Sequence, residues 1–162
     1  MDFEVDVSGE DLLSRDFVVC LASKDGIKIK GFKTTSELVE KLSLNHRAGK
    51  YRYDYSKKGK ANLKIRLYCG IVYYLVKSTQ AEKIMLLLCK DFGGREDDIK
   101  TALKYLLESK LGVNVEGILF SRLEKESLAH KYAYLMRKDS LNQMKTYIKI
   151  SFKELEEFLK TR

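Results

Sequence analysis

The chain has 162 residues, 44% hydrophobic and 33% charged, which is enough for one hydrophobic core and too few for two ordinary domains. Its 31 Lys and Arg outnumber its 23 Asp and Glu, and the formal net charge is +8. This excess favours a polyanionic partner, nucleic acid before an anionic membrane surface, although a Lys- and Glu-rich thermophile surface would have a similar composition.

The cysteines predict an intracellular protein without structural disulfides or zinc. Cys20, Cys69 and Cys89 lie in apolar stretches, are odd in number and show no Cys-x-x-Cys spacing, so we expect reduced core thiols and no disulfide-linked partner. His46 and His130 are far from any cysteine in sequence and offer no zinc ligand set. The first residues show no signal peptide and no apolar stretch is long enough to cross a bilayer, so we expect a cytoplasmic protein with no membrane partner.

The first predicted strand carries two acids on one face. Alternation places Phe3, Val5 and Val7 on one side and Glu4 and Asp6 on the other. A strand-end carboxylate in a strongly basic chain suggests a metal held over a phosphate backbone. The alternative is an ordinary exposed acid.

Alternation, helical spacing and capping residues predict the other elements. In chain order these are strand 17–22, strand 27–32, a helix from Thr34 to about Asn45, helix 63–77, strand 84–89, a helix from Asp97 to about Lys110, strand 113–120, helix 124–138, strand 147–150 and a last helix capped by Ser151 and Glu154. The opening strands should pair antiparallel and the later ones parallel. Helix 63–77 is the least distinct, because several of its apolar residues also suit a strand.

Two short stretches carry a resemblance to a known family. Residues 5–9, Val-Asp-Val-Ser-Gly, followed by the apolar run 17–22, resemble the opening of type-two ribonucleases H, and residues 127–133 are similar to the late helix of that group. With the element order, the chain resembles the ribonuclease H-like fold over about residues 3–139. The resemblance implies a single three-layer α/β domain over 1–162, with a mixed five-stranded sheet, helices on both faces, a basic insertion at 45–66 and a C-terminal extension at 140–162.

The resemblance also implies an activity and a set of site residues. Enzymes of this fold use carboxylates to hold divalent metals that activate water at a phosphodiester bond. The expected function is therefore that of a metal-dependent nuclease using Mg²⁺ or Mn²⁺. Asp6, Asp91 and Glu126 would bind the metal, with Glu124 as an alternative to Glu126, and His130 would reach the same site from one turn along the helix.

One departure from the family pattern leaves alternatives open. Type-two enzymes have a Glu where this chain has Val7, which points to the opposite face of the strand. Glu37 or Glu40 could substitute from the first helix, and Asp97 or Asp98 could also join the site. Without the carboxylate that the family places at the Val7 position, the chain could be a non-catalytic nucleic-acid-binding protein on the same fold. A protein-binding assembly subunit is the third interpretation.

Residues 45–66 form a basic segment with eight Lys or Arg and one acid, Asp54. Tyr51, Tyr53 and Tyr55 alternate, which in an extended strand would present three rings for base stacking; the alternative is that they pack on the sheet edge. The expected nucleic-acid-binding residues are Arg47, Lys50, Tyr51, Arg52, Tyr53, Lys57, Lys58 and Lys60. DNA, RNA and a hybrid are equally compatible with this segment, as is any oligomeric state.

Overall fold

Five strands and five α-helices form in the computed structural model, which describes residues 1–160. In chain order they are β1 Asp2–Ser8, β2 Val18–Ser23, β3 Ile29–Lys33, α1 Ser36–Arg47, α2 Lys57–Thr79, β4 Lys83–Cys89, α3 Glu96–Tyr105, β5 Asn114–Ser121, α4 Leu128–Lys138 and α5 Phe152–Lys160. A π-helical turn, Leu106–Lys110, continues α3.

The strands build one mixed sheet in the order β3-β2-β1-β4-β5. β2 pairs antiparallel with both β1 and β3, whereas β4 runs parallel to β1 and β5 parallel to β4. The predicted α/β class, the mixed sheet and the change from antiparallel to parallel pairing are confirmed. Because β1 and β4 are parallel neighbours, their carboxyl ends lie at the same edge of the sheet, here called the site edge.

Helices cover both faces of the sheet. On one face α4 packs across β1, β2 and β3, and Val18, Cys20, Ala133 and Met136 form a small core there. The other four helices lie over the opposite face, which holds the larger core and includes Phe3 and Val5 of β1. Side chains alternate between the two faces along a strand, and Asp6 follows directly after Val5. Asp6 therefore lies on the opposite face, which α4 covers.

The helix predicted over 63–77, the least distinct of the predicted elements, is confirmed as part of α2, which has 23 residues. Thirteen of its residues are buried, because α3 and α5 pack on the sides that do not face the sheet. Gly70 allows this packing, since a Cβ there would come within 2.9 Å of the Phe158 ring. A helix buried on most sides has apolar residues all round, which explains why its sequence also suited a strand.

Three predicted boundaries are corrected by local hydrogen bonds. The cap of α1 is Thr35, whose side chain accepts from Leu38 N–H, while Thr34 is buried and accepts from Phe17 N–H. The helix predicted over 124–138 begins only at Leu128. The strand predicted over 147–150 reduces to a single parallel bridge between Tyr147 and Gly31 of β3.

The predicted capping box of α5 is confirmed. Ser151 N–H donates to Glu154 Oε1 at 2.9 Å, and Glu154 N–H donates to Ser151 Oγ at 3.1 Å. This reciprocal pair satisfies two N–H groups that the first turn would otherwise leave open.

Within residues 1–160, none of the helices has the length and apolar composition needed to cross a membrane. Cys20 and Cys69 are buried free thiols, and Cys89 is a half-buried one.

Candidate metal centre and basic surface

The structure brings two of the predicted carboxylates together at the site edge. Asp6 lies near the end of β1, and Asp91 follows β4 by two residues. Cys89, the last residue of β4, lies between them, and ligand atoms of Asp6, Cys89 and Asp91 are all within 4.8 Å of one another. The register explains this cluster: Val5 pairs with Leu88, so the next residue of each strand projects from the opposite, α4 face.

Asp6 is buried and holds the fourth member of the site. It is 4% exposed, its Oδ1 accepts the Val7 N–H at 2.8 Å, and its Oδ2 lies 2.7 Å from His130 Nδ1. A carboxylate only accepts, so the shared proton is on Nδ1 and the ring presents Nε2 away from Asp6. With 52% of its side chain exposed, His130 is an oriented imidazole at the surface.

Burial and crowding of negative groups disfavour ionisation at this site. Burial, then the charge of Asp6, raise the pKa of Asp91, although hydrogen bonding from Cys89 and the charge of His130 oppose the shift. Burial and the neighbouring carboxylates raise the pKa of Cys89 to about 12. Cys89 is therefore a thiol that donates to carboxylates near neutral pH, and it lacks the thiolate character of a nucleophile.

The donor set fits a hard divalent cation. Mg²⁺ is held by one or two carboxylates with the remaining positions left to water or substrate phosphate, and Asp6 and Asp91 supply that pair. A protonated thiol is a poor ligand for Mg²⁺, so Cys89 is a neighbour of such a site. The hydrogen bond from His130 orients the Asp6 carboxylate, as outer partners of metal ligands commonly do.

The structure places Glu126 and Glu124 outside this cluster. Both are exposed in the loop before α4, where they line a cavity with Glu4 and Lys24 on the same face of the sheet. Ser127 caps α4 by accepting the His130 N–H, so the helix begins at Leu128. The one-turn relation expected between Glu126 and His130 requires both to be helical, and it does not form.

None of the expected substitute acids lies with Asp6 and Asp91. Glu37 pairs with Lys41 at 2.9 Å on α1, beside β3 and α5, and Glu40 is exposed on the same helix. Asp97 is exposed at the start of α3, and Asp98 pairs with Arg95 at 2.8 Å.

At the site edge α2 presents a cation. Lys64 Nζ lies 2.7 Å from Asp11 Oδ2, and Lys64 lines a cavity together with Val7 and Asp91. The next turn of α2 contributes Tyr68, which is fully buried against Phe92. Neither Lys64 nor Tyr68 can replace the metal-binding carboxylate that is missing at Val7.

The tyrosines of the basic segment do not form the expected platform. Residues 51–56 are irregular, because Tyr51 is buried and its hydroxyl donates to the buried Glu156 of α5 at 2.7 Å. Tyr53 is half-buried against the larger core, with the Arg52 guanidinium 5.3 Å from its ring. Tyr51 therefore cannot stack on a base, and Tyr55, 41% exposed, is the ring that reaches the surface.

The cations of the segment remain at the surface. Lys60 Nζ lies 4.0 Å from the Tyr55 ring, and the Arg47 guanidinium 5.4 Å from it. The other predicted phosphate-binding residues are exposed: Lys50, Arg52, Lys57 and Lys58. Lys57 begins α2 seven residues before Lys64, so it lies about 10 Å further along the helix, beyond the site edge.

Cys89 is the site residue that the sequence analysis missed, since a cysteine ending an apolar run is typical of a core thiol. The available signal was its alternation in β4, which puts it on the face opposite Leu88 and two residues before Asp91. Comparisons of the chain with protein-family models, with curated proteins and with solved structures found no match.

Proposed function

We propose that the protein is a metal-dependent nuclease of ribonuclease H-like fold that hydrolyses phosphodiester bonds of nucleic acid. The observation that carries the proposal is the meeting of Asp6 and Asp91, from two adjacent parallel strands, beside an oriented His130. The mixed five-stranded sheet with helices on both faces, and acids from the first and fourth strands at one edge, support the fold.

The residues divide into three roles. Asp6 and Asp91 would hold Mg²⁺ or Mn²⁺, which supplies an activated water and neutralises charge on the leaving oxygen. His130, held through Nδ1 by Asp6, presents Nε2 to take up or release a proton at the surface of the site. The cations of the basic segment hold the phosphate backbone without reading its sequence.

The test is cleavage of labelled single-stranded, duplex and hybrid oligonucleotides with Mg²⁺, Mn²⁺ or EDTA. We expect metal-dependent cutting by the wild type and a loss of at least about 100-fold in Asp6→Asn and in Asp91→Asn, since metal assistance contributes several kcal/mol. Asp2→Asn is the matched control, because it lies on the same strand about 13 Å from Asp6 and is exposed. Equal activity of all three variants would contradict the proposal.

One observation favours a second candidate, a non-catalytic nucleic-acid-binding protein. Among residues 1–160, no third carboxylate joins Asp6 and Asp91 within 4.8 Å. Asp11 lines the neighbouring cavity with Asp91, but its carboxylate is paired with Lys64 of α2. Salt-sensitive binding of the oligonucleotides by a wild type that cuts none of them would establish this candidate.

A further inference from the structure

The exposed face of α4 continues directly from the carboxylate site. His130, Tyr134 and Arg137 follow one another at spacings of four and three residues, so they lie on one face of the helix. The opposite face is buried against the sheet through Ala129 and Ala133. The exposed face therefore leads from the imidazole at Asp6 towards the end of the helix, about 10 Å away.

The middle of this face is an exposed aromatic ring. Tyr134 is 53% exposed, and Lys138 Nζ lies 5.6 Å from its ring centroid. A cation beside a tyrosine at the surface limits the positions of both side chains. An exposed ring next to a cation is the combination that stacks on an unpaired base and contacts the adjoining phosphate.

The far end of the face is cationic. Arg137 and Lys138 line a cavity with Arg15 and Gly9 of the β1–β2 loop. Two acids also face this region: Glu10 and Asp16 line the cavity, and Asp16 Oδ2 is 3.9 Å from Arg15 Nε. Three cations against two acids leave a net positive cavity.

The end of α4 is prepared for an anion by a lysine from β3. A helix C-terminus normally repels anions through its open carbonyl groups. Here Lys33 Nζ donates to the carbonyls of Met136 and Asp139 and to Asn142 Oδ1, each at 2.9 Å. The open carbonyls are thus covered by a cation.

We propose that a single strand of nucleic acid follows this face of α4 away from the carboxylate site, with Tyr134 stacking on a base and Arg137 and Lys138 binding phosphates. The inference rests on the proposed function for its substrate class and adds the strand form and its path. A single strand fits because its bases are open to stacking, whereas the base faces of a duplex are covered by their neighbours.

The test is binding of a fluorescent single-stranded oligonucleotide in EDTA, where no cleavage can occur. We expect Tyr134→Ala to weaken binding by about tenfold, in line with the loss of one stacked base, and Tyr134→Phe to retain it. Tyr105→Ala is the matched control: Tyr105 is 54% exposed at the end of α3, away from the site edge. The double variant Arg137→Gln/Lys138→Gln should reduce the slope of log affinity against log salt by about 1.4.

A duplex of the same sequence separates the strand forms. Tighter binding of the single strand, with a loss confined to Tyr134→Ala and the Arg137/Lys138 variant, supports the path along α4. Equal losses in Tyr134→Ala and Tyr105→Ala, or no oligonucleotide binding by the wild type, would overturn it. Because these measurements contain no metal, an inactive enzyme that still binds through Tyr134 would count against the nuclease proposal alone.

Discussion

At the scale of single residues, Asp91 is held where its negative charge is disfavoured. Burial and the nearby Asp6 raise its pKa above the ordinary value of 3.8. The folded chain therefore binds a proton at Asp91 more tightly than the unfolded chain does. The free energy of unfolding consequently falls as pH rises from the ordinary pKa of 3.8 through the raised pKa of the folded state. At neutral pH the ionised Asp91 is a local cost to folding, and the proposed metal would offset this cost.

We predict that Asp91→Asn raises the free energy of unfolding at pH 7. The gain should be only a few tenths of a kcal/mol, because Asp91 is exposed and water screens its charge. It should shrink below the ordinary pKa of 3.8, where the wild-type carboxyl is also neutral. Added Mg²⁺ should stabilise the wild type and not the variant.

Urea unfolding of wild type, Asp91→Asn and the control Asp2→Asn, at pH 7 and at pH 3.5, with and without Mg²⁺, measures these differences. A variant less stable than wild type at pH 7 in the absence of metal would show that Asp91 is a favourable structural charge and not a crowded one.

The site residues differ in how far the sequence determines them. Alternation in β1 and the position of Asp91 after an apolar run are local patterns, so the carboxylates can be predicted. The place of Cys89 between them depends on the pairing of β1 with β4, residues more than eighty positions apart, which no local pattern specifies. For the same reason the sequence does not distinguish Glu126, which lies in a loop, from the acids that converge.

At the scale of elements, the basic segment is held against the core by contacts that its sequence hides. Glu156 of α5 accepts from the Tyr51 hydroxyl at 2.7 Å and from Asn45 Nδ2 at 2.6 Å, and Lys160 lies 3.1 Å from it. Burial raises the pKa of Glu156, but these hydrogen bonds and Lys160 outweigh that effect and lower it overall. The alternating tyrosines suggested a platform for base stacking, because their distant partner Glu156 cannot be read from residues 51–55.

Helix type was more predictable than helix position. Apolar spacing identified α1 to α5, since a buried helical face leaves a periodic pattern. The first residues of α1 and α4 were misplaced, because several Ser, Thr and acidic residues compete for each cap and the fold selects one. The Thr34 hydroxyl accepts a hydrogen bond from the Phe17 N–H, so Thr35 caps α1 instead.

We predict that Gly59→Ala in α2 is destabilising, although Gly to Ala inside a helix usually stabilises by about 1 kcal/mol. A Cβ at Gly59 would overlap the backbone carbonyl and the side chain of Asp54, where the basic segment turns into the helix. The turn must shift, and we expect a loss of about 1–3 kcal/mol in the free energy of unfolding.

Gly93→Ala is the control, because a Cβ there meets nothing within 4 Å. In thermal and urea unfolding, Gly93→Ala should be about as stable as the wild type, and Gly59→Ala should be less stable. A Gly59→Ala protein as stable as wild type would mean that the 51–56 turn is free to move away from α2.

At the scale of the whole molecule, the positive charge is unevenly placed. The eight Lys and Arg and one acid of residues 45–66 give seven net charges, against +8 for the entire chain. This segment begins α2 on one side of the sheet, while Arg137 and Lys138 end α4 on the other. The carboxylates lie at the edge between them, so the proposed nucleic-acid strand would contact both surfaces.

Paired lysine substitutions at two places on the surface separate this arrangement from a general attraction by net charge. If only the total charge matters, removing any two exposed lysines should have the same effect on binding. If the basic segment contacts phosphates, Lys57→Gln/Lys58→Gln should reduce the slope of log affinity against log salt by about 1.4 for a single strand. Lys77→Gln/Lys104→Gln, with Lys77 about 30 Å from Lys57 along α2, should leave the slope unchanged.

Combining Lys57→Gln/Lys58→Gln with Arg137→Gln/Lys138→Gln tests whether one strand spans both surfaces. The two pairs lie on α2 and α4, on opposite sides of the sheet, so their losses in log affinity should add. An oligonucleotide too short to reach from one surface to the other should respond to one pair or the other and never to both. Additive losses with a long strand and unequal losses with a short one would place the bound strand across the Asp6 and Asp91 carboxylates.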